Sequence, residues 1–158
     1  MADARIFEDL KADHDRHRTM LAELAGADAG ERAGLFEKLR IEISAHAAAE
    51  EESLYATMLA NPDLRDEARH SVSEHKEIDD FFGELVEIDA TSADWTAKFE
   101  EMRHRYEHHI DEEEEEMFPA ASEKLSAEEE ARLAQVFERR KPKELVRAEE
   151  EKPGDERE

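Results

Sequence analysis

The stretch HIDEEEEEMFP at residues 109–119 has a counterpart earlier in the chain, HAAAEEESLY at residues 46–55. In each stretch a histidine is followed four residues later by a glutamate. On an α-helix, residues four apart lie on the same face, so the imidazole and the carboxylate of each pair can reach the same metal ion. The two stretches therefore predict two helices that carry metal ligands into a helical bundle.

Composition supports a helical protein with one domain. The chain has 158 residues, of which 39% are hydrophobic, 6% aromatic and 42% charged, with only 5 Gly and 4 Pro. Such a composition favours helices with one buried stripe and leaves little turn chemistry for a sheet. The length suits a single helical core and is too short for two ordinary domains.

Charge and cysteine content exclude several classes of function. A formal net charge of -23 argues against binding nucleic acid or an anionic membrane, because phosphates would repel the chain. The absence of cysteine excludes disulfides and thiolate ligands, so nitrogen and oxygen must hold any metal. The N-terminus has no apolar signal core and no stretch is long enough to span a membrane, so we expect a cytoplasmic protein.

Apolar residues recur at helical spacing in four blocks that are separated by helix breakers. The blocks span about 4–25, 30–59, 62–89 and 93–118. Short links between four helices predict an all-α, up-down-up-down antiparallel four-helix bundle. Pro119 is expected to end the fourth helix, which Thr91-Ser92 caps at its start.

A capping box at Ser126–Glu129 predicts a short fifth helix that runs through Phe137. Beyond Pro142 the chain is almost entirely charged. We therefore predict a bundle domain at residues 1–141 and a charged, disordered tail at residues 142–158.

Histidines interrupt the apolar stripe of every helix in the bundle. His14, His46, His75 and His109 each lie within about four residues, or roughly 6 Å of axial rise, of their helix midpoint. Midpoints meet in one layer of an antiparallel bundle. Helices two and four run parallel in this topology, so the carboxylates one turn beyond their histidines, Glu50 and Glu113, are expected to reach a common level.

Six buried ionisable groups require compensation, because an unpaired buried charge costs several kcal/mol. A pair of divalent cations supplies it. A first shell rich in nitrogen, with bridging carboxylates and no sulfur, favours iron over manganese or zinc.

The other histidines and acids have simpler interpretations. Only one position per turn faces inward, so the following residues are expected on the surface: Glu51, Glu52, Glu114, Glu115, Glu116, His70, His104 and His108. His17 lies on the inner stripe of helix one, where it either binds metal or lines the site. Tyr106 is predicted to be a core residue.

At these motifs the sequence resembles the hemerythrin-like family of HHE cation-binding domains over about residues 4–120. The family pattern matches Asp13-His14, residues 46–55, Glu74-His75 and residues 109–119. The resemblance implies a non-haem, oxo- or hydroxo-bridged di-iron centre. By that resemblance His14 and His46 bind one iron, His75 and His109 bind the other, and Glu50 and Glu113 bridge the two.

Two features depart from the oxygen-carrying members of the family that the sequence resembles. These members carry a further histidine one turn before the helix-three ligand, where this chain has Ser71. They also end in a histidine and a more distant aspartate, whereas this chain has His109 and Glu113. One iron is therefore expected to lack a protein ligand, which leaves a position for water, Glu74 or an exogenous molecule.

Two functions compete on this basis, and both use a small-molecule partner: oxygen, hydrogen peroxide or nitric oxide. The first is a binding or sensing module, and the second is a catalase-like enzyme that disproportionates peroxide. A ferritin-like oxidase would require Glu-x-x-His pairs on the inner faces of two helices, but the pair from Glu101 to His104 lies off the inner stripe. A purely structural acidic bundle is the remaining alternative, and it predicts no bound metal.

Overall fold

The structure, a computed structural model, describes residues 5–151. This part of the chain forms five long helices and no strand. Helix α1 is Arg5–Ala25, α3 is Arg65–Leu85 and α5 is Ala127–Glu150. Helix α2 consists of Arg32–Glu50, a π-helical turn Glu51–Tyr55 and Ala56–Ala60, and a short 3₁₀ turn, Ala29–Glu31, precedes it. Helix α4 consists of Ala93–Glu112, a π-helical turn Glu113–Met117 and Phe118–Lys124.

The predicted helix starts are confirmed where a side chain caps the backbone. The Ser92 hydroxyl accepts a hydrogen bond from the Trp95 backbone N–H at the start of α4, and Ser126 and Glu129 form a complete capping box at the start of α5. Helix α3 ends at Leu85 rather than near residue 89. Asp89 Oδ1 accepts from the Thr91 backbone N–H at 2.9 Å, a local turn that competes with helix continuation.

The prediction that Pro119 ends helix α4 at Phe118 is wrong. The helix continues to Lys124, with Pro119 in the first turn of the segment Phe118–Lys124. Proline is tolerated in a first helical turn, where its missing N–H is not needed. The preceding π-helical turn interrupts the regular α-helical bonding pattern, so Pro119 lies in the first turn of a new α-helical segment.

The predictions of a short fifth helix and of a disordered tail from residue 142 are also wrong for residues 142–150. Helix α5 passes through Pro142 and ends at Glu150. It packs mainly against α2 and also against α1, and Arg40 of α2 donates a 3.2 Å hydrogen bond to the Ala148 carbonyl. These contacts between helices offset the backbone hydrogen bond that Pro142 removes. The prediction of disorder at residues 152–158 lies outside the described residues.

The apolar core is divided into two clusters. One contains Leu10, Leu54, Met58 and Phe118, together with Phe137 of α5. The other contains Leu24, Leu39, Phe82, Trp95 and Phe99. The buried histidines and glutamates belong to neither cluster, and α1 to α4 each contribute at least one of them. The fold therefore encloses a polar layer within an otherwise apolar interior.

Candidate metal centre

All six residues that the sequence predicted as metal ligands lie in the buried polar layer. His14, His46, His75 and His109 are between 0% and 9% exposed. The side chains of Glu50 and Glu113 are 0% and 1% exposed. The helical spacing that placed these side chains inward thus agrees with the structure.

The six residues divide into two groups, each of two histidines and one glutamate. His14, His46 and Glu50 form one group, and His75, His109 and Glu113 form the other. Within each group one ligand atom from every residue lies within 4.8 Å of the others. Opposite ligands on one metal ion lie about 4.0–4.4 Å apart for bonds of about 2.0–2.2 Å, so small side-chain adjustments suffice for coordination.

Each glutamate also reaches the other group. Glu50 Oε1 lies 3.5 Å from His46 Nε2 and 3.4 Å from His75 Nε2. Glu113 Oε1 lies 3.2 Å from His14 Nε2 and 3.8 Å from His109 Nε2. Each carboxylate therefore lies between one histidine of the first group and one histidine of the second, which is the position that a bridging ligand requires.

The outward nitrogen of every inner histidine is paired with a carboxylate. Nδ1–H donates from His14 to Glu114 (2.7 Å), from His46 to Asp13 (2.9 Å), from His75 to Glu51 (2.7 Å) and from His109 to Glu74 (2.6 Å). Such bonds fix the orientation of an imidazole and leave Nε2 available to a metal. The same arrangement at four positions directs four Nε2 atoms into one layer.

Three of these carboxylates correct the sequence analysis. Glu51 and Glu114 were expected on the solvated surface, yet each orients a histidine from the neighbouring helix. Glu74, suggested as an extra ligand, accepts from His109 Nδ1 and so lies on the opposite side of that ring from Nε2. The sequence signal for these carboxylates was the pair of adjacent glutamates in both motifs, Glu50-Glu51 and Glu113-Glu114. The first glutamate of each pair lies inside the bundle, and the second lies at its edge, where it contacts a histidine of the neighbouring helix.

One π-helical turn begins directly after Glu50 and the other begins at Glu113. The sequence did not predict either turn. A π-helical turn contains an extra residue, so the side chain five positions on returns to the same face. Tyr55 thus follows Glu50, stacks on His75 at 5.3 Å and donates a hydrogen bond to Glu113 Oε2. Phe118 follows Glu113 and stacks on His14 at 6.0 Å.

The charges in the buried polar layer change one another's pKa values. Burial would lower the pKa of His14 and His75, but contacts with Glu113 and Glu114 raise the pKa of His14 to about 9, and Glu50 and Glu51 raise that of His75 to about 10. Burial raises the pKa of the Glu113 carboxyl, and the negative charge of Glu50 raises it further. Without a metal, protons on the imidazoles balance the carboxylates.

Several atoms in this layer are buried without a hydrogen-bond partner. They are Nε2 of His14 and His46, both carboxylate oxygens of Glu50, and Oε1 of Glu113. An unsatisfied buried polar atom costs about 1–3 kcal/mol, and more when it is charged. A set of such atoms, shared between the two groups of potential ligands, fits bound cations, so the donor set is suited to a metal pair.

His17, whose role as a ligand or a lining residue the sequence left open, belongs to a second polar network beside the buried polar layer. Its Nε2–H donates to Glu42 at 2.9 Å, and burial lowers the pKa of His17 to about 4, so the ring is neutral and Nδ1 accepts from the Tyr106 hydroxyl at 2.7 Å. Lys141 of α5 donates at 2.8 Å to both Asp13 and Glu42. Tyr106 is buried as predicted, but its hydroxyl also positions His17.

A cavity of about 420 Å³ reaches the buried polar layer between α2 and α3. Ile43, Val72 and Phe82 form apolar parts of its wall, and His46 and His75 lie at its inner side. This volume exceeds what a diatomic molecule or peroxide needs, so the cavity offers such a molecule access to the predicted ligands. His104 and His108 are exposed, in agreement with the sequence analysis.

Comparison with known proteins identifies the family. The model of the hemerythrin HHE cation binding domain matches residues 5–121. The chain therefore belongs to the hemerythrin HHE cation-binding domain family and is a hemerythrin-like, cation-binding protein. A comparison with curated proteins found no match.

The fold resembles the crystal structure of a hemerythrin HHE cation-binding domain-containing protein from Mycobacterium kansasii. The TM-score is 0.78 at 24% sequence identity, over 89% of this chain and 87% of the other. Within residues 5–151, no helix combines the length and the apolar character that crossing a membrane requires.

Proposed function

We propose that this protein holds a carboxylate-bridged pair of iron ions that binds and reacts with a small oxidant, either oxygen or hydrogen peroxide. In this proposal His14 and His46 bind one iron, His75 and His109 bind the other, and Glu50 and Glu113 bridge them. The convergence of buried, unpartnered nitrogen and oxygen atoms carries the proposal. We also propose that α1 to α4 are arranged up-down-up-down, because the links between them are short.

Iron is proposed because of the donor set. Imidazole nitrogen and carboxylate oxygen without sulfur suit iron, with manganese and zinc as the alternatives. When bound, the pair would supply Lewis acidity and electrons for reaction with the oxidant. The carboxylates at the outward nitrogens, such as Asp13 behind His46, hold the imidazoles in the tautomer that presents Nε2.

Reaction is favoured over reversible carriage by two side chains near the His75 group. Ser71 stands where the resemblance places a further histidine, which leaves a position open. Burial and the negative charges of Glu113 and Glu50 raise the pKa of Tyr55 well above its usual range, so its hydroxyl remains protonated. Tyr55 thereby holds a proton at Glu113 Oε2, a carboxylate oxygen of the His75 group.

The first test is the metal content of the purified protein together with its near-ultraviolet absorption. We expect two iron ions per chain and the absorption of an oxo-bridged pair. Metal content near zero after reconstitution would refute the proposal and leave a structural acidic bundle.

The second test measures oxygen evolution from hydrogen peroxide. We expect activity in the native protein and its loss in Glu113→Ala, with Glu115→Ala as a control because Glu115 is exposed on the same turn. No native activity, or equal activity in Glu113→Ala, would refute the peroxide reaction. A stable, reversible oxygenated form would instead support the binding or sensing alternative.

A further inference from the structure

A second cluster of potential ligands lies on the surface, outside the buried layer. His70 and Glu74 of α3 and Glu112 of α4 each present one ligand atom, and these atoms lie within 4.8 Å of one another. His70 Nε2 is 3.2 Å from Glu74 Oε2 and 3.7 Å from Glu112 Oε1. The His70 side chain is 60% exposed and that of Glu112 is 35% exposed, so a cation in solvent can reach them.

Glu74 connects this cluster to the buried layer. Its Oε2 faces His70, and its Oε1 accepts the hydrogen bond from His109 Nδ1 at 2.6 Å. One carboxylate therefore contacts both a surface histidine and a predicted ligand of the metal pair. The two sites are neighbours, separated by a single side chain.

An acidic cavity of about 230 Å³ joins the same two places. His70 and Glu112 belong to its wall, and so do His109 and Glu113 of the buried layer. Glu113, which lines the buried side of this cavity, is 2% exposed, and its Oε1 has no hydrogen-bond partner. Asp66, Glu67 and Glu116 contribute further carboxylates, and no lysine or arginine lines the cavity among the described residues.

The two cavities differ in chemistry. In the wall of the larger one, beside His46 and His75, apolar side chains predominate and Lys76 accompanies the two carboxylates Glu51 and Asp79. The smaller one combines carboxylates with imidazoles, the ligands that divalent metals such as Fe²⁺ and Mn²⁺ accept. A net charge of -23 further concentrates cations at its opening.

We propose that His70, Glu74 and Glu112 form an outer site for a divalent transition-metal cation, and that cations pass from this site through the acidic cavity to His109 and Glu113. The inference rests on the proposed function, because it assumes that the buried layer is the destination. The outer site binds more weakly than the buried pair, since its ligands are exposed and fewer. Its role is to capture the hydrated cation and exchange part of its water for protein ligands.

The test uses the metal-free full-length chain and Co²⁺, whose visible absorption reports ligand binding. Stopped-flow mixing measures the loading rate, and equilibrium titration measures the number and affinity of the sites. The variants are His70→Ala, Glu112→Gln and the double variant. The matched control is the pair His104→Ala and Glu101→Gln, both exposed positions on α4 outside the cavity.

We expect the native chain to bind two Co²⁺ tightly and a third weakly. The double variant should lose the weak site and load the tight pair about tenfold more slowly, comparable to the lower end of the roughly 10–100-fold effect that outer-shell partners have on metal affinity or activity. The final number of tightly bound ions should stay at two, and the control pair should load like the native chain. His70→Asp keeps a metal ligand at this position, so it should load the tight pair at most of the native rate, unlike His70→Ala.

Three outcomes would overturn the inference. The first is native loading rates in the double variant with two tight sites retained, which leaves the proposed function intact. The second is slow loading in Glu112→Gln but not in His70→Ala, which would attribute the effect to general negative charge. The third is a native chain that binds no Co²⁺ at all, which refutes both proposals. A single weak site that disappears in His70→Ala would instead support the outer site and refute the buried pair.

Discussion

The carboxylates behind the inner histidines provide a graded prediction about metal affinity. Asp13, which accepts from His46 Nδ1, has a side chain that is 9% exposed, whereas Glu51, which accepts from His75 Nδ1, is 38% exposed. Asp13 is also held by Lys141 at 2.8 Å. Solvent screens the exposed pair more strongly, so Asp13 should contribute more to the orientation and basicity of its imidazole than Glu51 does.

We therefore expect unequal losses from the two neutral substitutions. Removal of a carboxylate that orients a metal-binding histidine costs about 10–100-fold in affinity, or roughly 1.4–2.7 kcal/mol. Asp13→Asn should fall near the upper end of this range, and Glu51→Gln at or below the lower end. Both variants should retain two metal sites, because all six predicted ligands remain.

The assay is titration of the metal-free chain with Co²⁺ in competition with a chelator. Asp15→Asn is the matched control, since its side chain is 78% exposed on the same helix and pairs only with Arg18 among the contacts of the described residues. Lys141→Met separates the effect of the unpaired lysine from that of the lost carboxylate. Equal affinity in Asp13→Asn and the native chain, or a larger loss in Glu51→Gln, would refute the reasoning.

Three further predictions follow from the same layer. Tyr55→Phe removes the hydroxyl that donates to Glu113, so peroxide turnover should fall about a hundredfold with two metals retained, and unchanged turnover would contradict the assigned role. The raised pKa values of His14 and His75, about 9 and 10, stabilise the metal-free protein fully below the ordinary pKa of 6.5, and this contribution is lost as pH rises through 9–10. The Tm of the metal-free form should therefore decrease between pH 7 and 10, and metal uptake at pH 7 should release protons that an indicator dye detects; a flat Tm and no proton release would count against it. Val72→Trp should narrow the 420 Å³ cavity and slow peroxide turnover without changing metal content, whereas Val146→Trp, at an exposed position on α5, should change neither.

The inner positions of the helices were predictable because helical spacing depends only on local geometry. Residues three and four apart share a face whatever the neighbouring helices do, so the stripe through His109 and Glu113 could be traced in the chain itself. The same argument placed His46 and Glu50. Capping at Ser92 and Ser126 was predictable for a similar reason, since a cap bonds to backbone only three residues away.

The partners of these residues depended on contacts between helices. Glu51 and Glu114 resembled ordinary surface acids, and only the packing of α2 against α3 and of α4 against α1 brought each one to a histidine Nδ1. The π-helical turns were equally hidden, because the extra residue is accommodated through the burial of Tyr55 and Phe118 in the assembled core.

Composition was least informative at the C-terminal end of the described chain. A charged stretch with Pro142 indicates disorder when the segment is considered alone, yet residues 142–150 are helical because α5 has α2 to pack against. The sequence by itself therefore determined which side chains turn inward and which chemistry they carry. The tertiary structure alone decided which atoms meet, because distances between helices arise from packing across the whole bundle and have no counterpart in local spacing.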